Sequence, residues 1–261
     1  MNAKPIRRRV RLTPVSTLHY VRLVYRSLLF AALLAMYISY RVRGGADIGR
    51  RIEERPAIIV VIWLVFTVEM VLRFFPSRLE SPGCQKQFAR NYIKSGETHI
   101  EIQDNNAVVL VALVWIGFNG IIGAMHMAGL LDDGIMLLLC CAYSVCDMIC
   151  ILFFCPFQSW LLKNKCCSTC RIYNWDYAMM FTPLFFVQKP YTWSLLILSV
   201  ALLARWEVTF FLHPERFSEE TNEYLYCVNC TEKLCTHKRQ LSGLWRHIAR
   251  FTAERTRRLK K

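Results

Sequence analysis

Between residues 24 and 212 the chain is a succession of apolar stretches separated by short polar ones, and this alternation restricts the fold more than any other feature of the sequence. About 20 apolar residues in a helix cross the hydrocarbon core of a bilayer, where every backbone polar group must be satisfied within the protein. The stretches run from about 24 to 40, 57 to 75, 107 to 131, 135 to 155, 177 to 187 and 192 to 212. They predict an all-α fold, a polytopic helical membrane bundle of about six transmembrane helices. The fifth stretch is short and contains Pro183, so it is expected to be either a short span or a re-entrant one. A composition that is 54% hydrophobic, with a mean hydropathy of +0.27, leaves little room for a separate soluble domain.

Four regions follow: a basic N-tail, 1–23; the transmembrane domain, 24–212; a Cys/His segment, 213–239; and a basic amphipathic helix, 240–261. The N-terminal apolar run, 28–38, is followed by Ser39-Tyr40-Arg41 rather than by a small-residue cleavage site, so it is read as a retained first span. In the last region Leu241, Leu244, Trp245, Ile248 and Phe251 recur at helical spacing among arginines, which suits anionic inner-leaflet lipids.

The formal charge is +14. No basic motif interleaved with aromatics accompanies it, so no nucleic-acid partner is expected. With six spans, 24 of the 33 Lys and Arg fall on the two tails and the second and fourth loops, six on the alternate loops, and Arg26, Arg73 and Arg205 within the stretches. Cytosolic loops carry the excess of positive charge, so both termini are expected in the cytosol, in a plasma (inner) membrane. The first loop, with Arg41, Arg43, Arg50, Arg51 and Arg55, fits this least well.

The twelve cysteines cluster. Cys167-Ser168-Thr169-Cys170, preceded by Cys166, lies in the fourth loop. Cys227-Val228-Asn229-Cys230 lies in the C-tail, followed by Cys235 and His237. Cytosolic thiols stay reduced, so such clusters there point to a metal or to catalysis rather than to structural disulfides. Two thiolates two residues apart reach one ion as the chain turns between them, and a tetrahedral site then needs two more ligands. Two sets satisfy this: Cys227, Cys230, Cys235 and His237 locally, or Cys167, Cys170, Cys227 and Cys230 jointly, with Cys84 and Cys166 as additional candidates. The cofactor is expected to be Zn or an Fe–S cluster. A dithiol redox pair is the competing reading. Cys140, Cys141, Cys146, Cys150 and Cys155, in and after the fourth stretch, read first as small apolar interface residues.

Ionisable side chains inside spans are costly and mark functional sites by default. Glu69, His126, Asp147, Arg205 and Glu207, with the polar Asn119, form that set. They support either a proton or ion path or a structural pairing, such as Glu69 or Asp147 with Arg205. No nucleotide-binding, zinc-protease or serine-hydrolase motif is present. The expectation is therefore a membrane protein with a cytosolic Cys/His metal centre, either a metal-stapled scaffold that works through a protein partner or as a homo-oligomer, or a redox protein. A small transporter using Glu69, His126 and Asp147 is the alternative.

Overall fold

The computed structural model describes residues 14–43, 56–76, 82–100, 102, 104–164, 169–226 and 228–229. Regular structure among them is helical, with one isolated antiparallel bridge between Lys94 and Asn222. The α-helices are α1 (Pro14–Val42), α2 (Pro56–Leu72), α3 (Pro82–Gln87), α4 (Asn105–Met127), α5 (Asp133–Leu152), α6 (Asp176–Phe181) and α7 (Pro190–Leu212). Four of them, α1, α4, α5 and α7, are long and apolar enough to cross a membrane, while the apolar part of α2 is shorter. The first helix begins at Pro14, ten residues before the apolar stretch, so His19 and Arg22 are helical.

The helix ends follow from local chemistry. Asp104 caps α4 by accepting from the Asn106 N–H at 3.0 Å, and Asp132 caps α5 by accepting from the Ile135 N–H at 2.9 Å. At the end of α4, Gly129 takes φ +75°, the Leu130 N–H donates to the Met125 carbonyl at 3.0 Å, and the Gly129 N–H to His126 at 2.9 Å. This paired closure needs a left-handed residue, which glycine supplies without a Cβ clash.

Helix α1 lies antiparallel on α5 along its length. Tyr20 meets Phe153 edge-on at 6.3 Å, Arg26 meets Asp147, and Arg41 meets Asp132 at 2.8 Å. Residues 26 to 41 thus run against residues 147 to 132, one residue for one, over roughly 22 Å. The Pro14 end of α1 and the Leu152 end of α5 therefore share one end of the bundle. Arg26–Glu69, Arg205–Phe74 and Arg171–Asn105 bring the C-terminal end of α2, the start of α4 and the C-terminal end of α7 to that same end.

The fifth stretch is a broken element. α6 stops at Phe181, and residues 182–186 continue as a 3-10 turn. Pro183 has no N–H to bond the Met179 carbonyl, and its ring would crowd that turn, so the α-helix cannot continue. The segment advances from Asp176, paired with Arg73 at 2.6 Å, to Phe186, whose ring packs on Gly123 near the far end of α4. It does not fold back on itself.

Outside the helical bundle, residues 82–100 and 213–226 are stitched together. Asn222, with 0% exposure, donates to the Lys86 carbonyl at 3.1 Å and to the Arg216 carbonyl at 2.9 Å. The Glu223 N–H donates to Ile93 at 2.9 Å, and the Ser95 N–H to Thr221 at 3.2 Å.

Candidate functional site

At the end of the bundle where α1 starts and α7 stops, six ionisable groups share a buried network: Arg22, Arg26, Arg73, Glu69, Asp147 and Asp176. Glu69 Oε1 accepts from the Tyr25 hydroxyl at 2.7 Å and pairs with Arg22 Nε at 3.1 Å. Its Oε2 accepts from Arg26 at 2.8 Å and from the Tyr177 hydroxyl at 2.9 Å. Arg26 also reaches Asp147 Oδ2 and the Ser144 carbonyl, both at 3.1 Å. Arg73 forks onto Asp176 at 2.7 and 2.6 Å. Three guanidinium groups thus face three carboxyl groups. Taking single charges out of water costs several kcal/mol each, so the pairing is what makes the burial tolerable. One turn before Arg22, His19 is fully buried, and neither ring nitrogen has a hydrogen-bond partner.

Beside this network lies a part-open cavity of about 240 Å³ between α4, α5, α6 and residues 155–173. Asp147 and Asp176 stand in its wall, as do Cys146, Cys150, Cys155 and Cys170. Asp147 spends Oδ2 on Arg26, and its Oδ1 carries no hydrogen bond among the described residues. No group of three or more His, Cys, Asp or Glu side chains able to hold a metal ion occurs among the described residues.

The sequence-derived candidates separate. Glu69 and Asp147 meet through Arg26 rather than Arg205. Arg205 instead donates to the Phe74 carbonyl and lies over the Phe74 and Phe88 rings at 5.2 and 5.6 Å. Glu207 accepts from Arg171 and from Trp175 Nε1, the latter at 2.7 Å. His126 is at the opposite end, bonded to the Leu131 carbonyl at 2.9 Å and 3.4 Å from Asp133. It therefore does not line one pocket with Glu69 and Asp147. Asn119 donates to the Trp115 carbonyl and accepts from the Tyr143 hydroxyl at 3.2 Å, between α4 and α5. Of the metal candidates, Cys170 is described. It is 4% exposed and packs with Val108, Met148, Ile151 and Leu162. Cys84 belongs to α3, its side chain beyond what is described; Cys166, Cys167, Cys227, Cys230, Cys235, His237 and the 240–261 helix lie outside the described residues.

Sequence reasoning missed Arg22, Arg26, Arg73 and Tyr177 as site residues. Arg26 gave a signal: a lone cation in an apolar run needs an anion. Tyr177, at the start of the fifth stretch, is 1% exposed and donates to Glu69. In comparisons with known proteins, no family model, no curated protein and no solved structure matches the chain.

Proposed function

We propose that the chain is a six-crossing plasma-membrane protein with both termini in the cytosol, acting as a scaffold that presents a zinc knuckle made by Cys227, Cys230, Cys235 and His237. The observation that carries the reading is the docked tail before those ligands. Asn222 pins residues 213–226 onto residues 86–95, directly before the first C-x-x-C ligand, and the Asn229 N–H donates to the Tyr226 carbonyl at 3.1 Å. A knuckle hung on a fixed platform gives a partner a defined surface, and metal binding then stabilises the tail directly. Burial of Cys170 among α4 and α5 side chains turns it toward the bundle, which favours the local ligand set over one shared with the fourth loop. Three thiolates and an imidazole suit zinc better than an Fe–S cluster, which is most often held by four cysteines.

Elemental analysis with an absorption spectrum, on protein purified in detergent without oxygen, tests this. The expected result is about one zinc per chain and no visible colour, with zinc lost in Cys230→Ser and kept in Cys170→Ser. Loss in both variants would mean a site shared between loop and tail. Iron with labile sulfide would make the protein an electron carrier, and absence of metal would sink the reading.

A further inference from the structure

We propose that the cavity beside Asp147 is a second metal site, specific for a soft monovalent cation of the Cu(I) type, held between Cys146 and Cys150. Sulfur is concentrated there. Cys146, Cys150, Cys155, Cys170, Met179 and Met180 are six of the fifteen lining residues, against 12 Cys and 9 Met in a chain of 261. Thiolate and thioether ligands select Cu(I) over hard cations. Cys146 and Cys150 border the cavity, and Cys146 is exposed. By contrast Cys140, on the same helix, is 6% exposed and packs with Phe181 and Leu184, as a small apolar residue does.

Geometry selects the ion type. Cys146 and Cys150 are one turn apart on α5, which places their Cβ atoms about 5–6 Å apart. That is wide for a disulfide, whose Cβ atoms sit about 3.5–4.5 Å apart. It suits two sulfurs on opposite sides of one ion, each about 2.3 Å from it. No three His, Cys, Asp or Glu side chains among the described residues converge on one point, so a tetrahedral zinc site is not built here. Two-coordinate binding remains open, and Cu(I) accepts it, with Met179 and Met180 across the cavity as neutral thioether donors.

Proton release balances the bound charge. The neighbouring network sets three guanidinium groups beside three carboxyl groups. Binding exchanges one proton for one monovalent cation: one S–H bond breaks, one S–Cu bond forms, and the proton is released to solvent. The second sulfur donates a lone pair, and no electron is transferred. The cavity keeps its charge in this exchange.

The test is an oxygen-free titration of the full-length protein in detergent with Cu(I), against a chromogenic Cu(I) chelator. Wild type, Cys146→Ser/Cys150→Ser and Cys230→Ser are compared. The double variant is expected to retain one equivalent fewer than wild type, and Cys230→Ser to keep that equivalent, which separates this site from the tail knuckle. Equal retention in wild type and the double variant overturns the proposal. Should the double variant not fold, alkylation of the wild type decides: Cys146, mapped by mass spectrometry, is expected to be shielded from N-ethylmaleimide once Cu(I) is added. Unchanged labelling overturns the proposal as well.

Discussion

Arg26 connects three helices with one side chain. Its guanidinium holds Glu69 of α2 and Asp147 and the Ser144 carbonyl of α5 from a position on α1 with 1% side-chain exposure. Arg26→Met leaves both carboxylates short of a partner, and breaking a buried pair in this way costs about 3–5 kcal/mol. Asp147→Asn keeps an acceptor for Arg26 and weakens one charged hydrogen bond, so about 1–3 kcal/mol is expected. Thermal unfolding in detergent ranks the two, and equal losses would refute the hub role of Arg26. The carboxylates themselves were legible, because an acid inside an apolar run demands an explanation. Their partner was not: Arg26 and Arg205 both stand alone in apolar runs. A membrane helix is apolar on its lipid face as well as its packed face, so hydropathy does not reveal which cation turns inward.

At the level of elements, the broken fifth stretch shows the same division. Pro183 and a length below that of a full span made the irregularity readable. The route did not follow, because it depends on a close approach elsewhere in the chain, where Phe186 lies on Gly123 of α4. A Cβ at residue 123 would overlap that ring, whereas Gly117 and Gly120 on the same helix face open space. Gly123→Ala should therefore cost about 1–3 kcal/mol as the ring is displaced. Gly120→Ala should be neutral or slightly stabilising, since it removes backbone freedom and meets nothing. Melting temperatures of the two variants in one detergent provide the comparison, and a Gly123→Ala protein as stable as Gly120→Ala would mean that the segment is not held by this contact. The cysteine spacing, likewise legible, gave no hint that Cys170 would lie in the bundle wall with three cysteines of the fourth stretch.

For the whole molecule, the shared end of α1, α2, α4, α5 and α7 gives the positive-inside argument a geometry to act on. The antiparallel pairing of α1 with α5 extends to Arg41 and Asp132, so the first helix runs the full depth of its neighbour and does not stop half-way. Arg41 and Arg43, at the start of the arginine-rich first loop, then fall at the opposite end from Pro14 and Leu212, and the charge of that loop competes with that of the tails for the cytosol. The tails and the second and fourth loops carry 24 of the 33 basic residues, which should prevail. The hairpin Asp132-Asp133-Gly134, acidic and remote from the cysteine-bearing end, offers a place to read the outcome. In intact cells, if the proposed orientation holds, a membrane-impermeant maleimide should leave the wild-type chain largely unlabelled and should label Asp133→Cys. Labelling of the wild type before permeabilisation, with Asp133→Cys adding nothing, would invert the molecule. The clustered cysteines would then lie in an oxidising space, where disulfides replace the metal knuckle, and the zinc reading would fall together with the orientation.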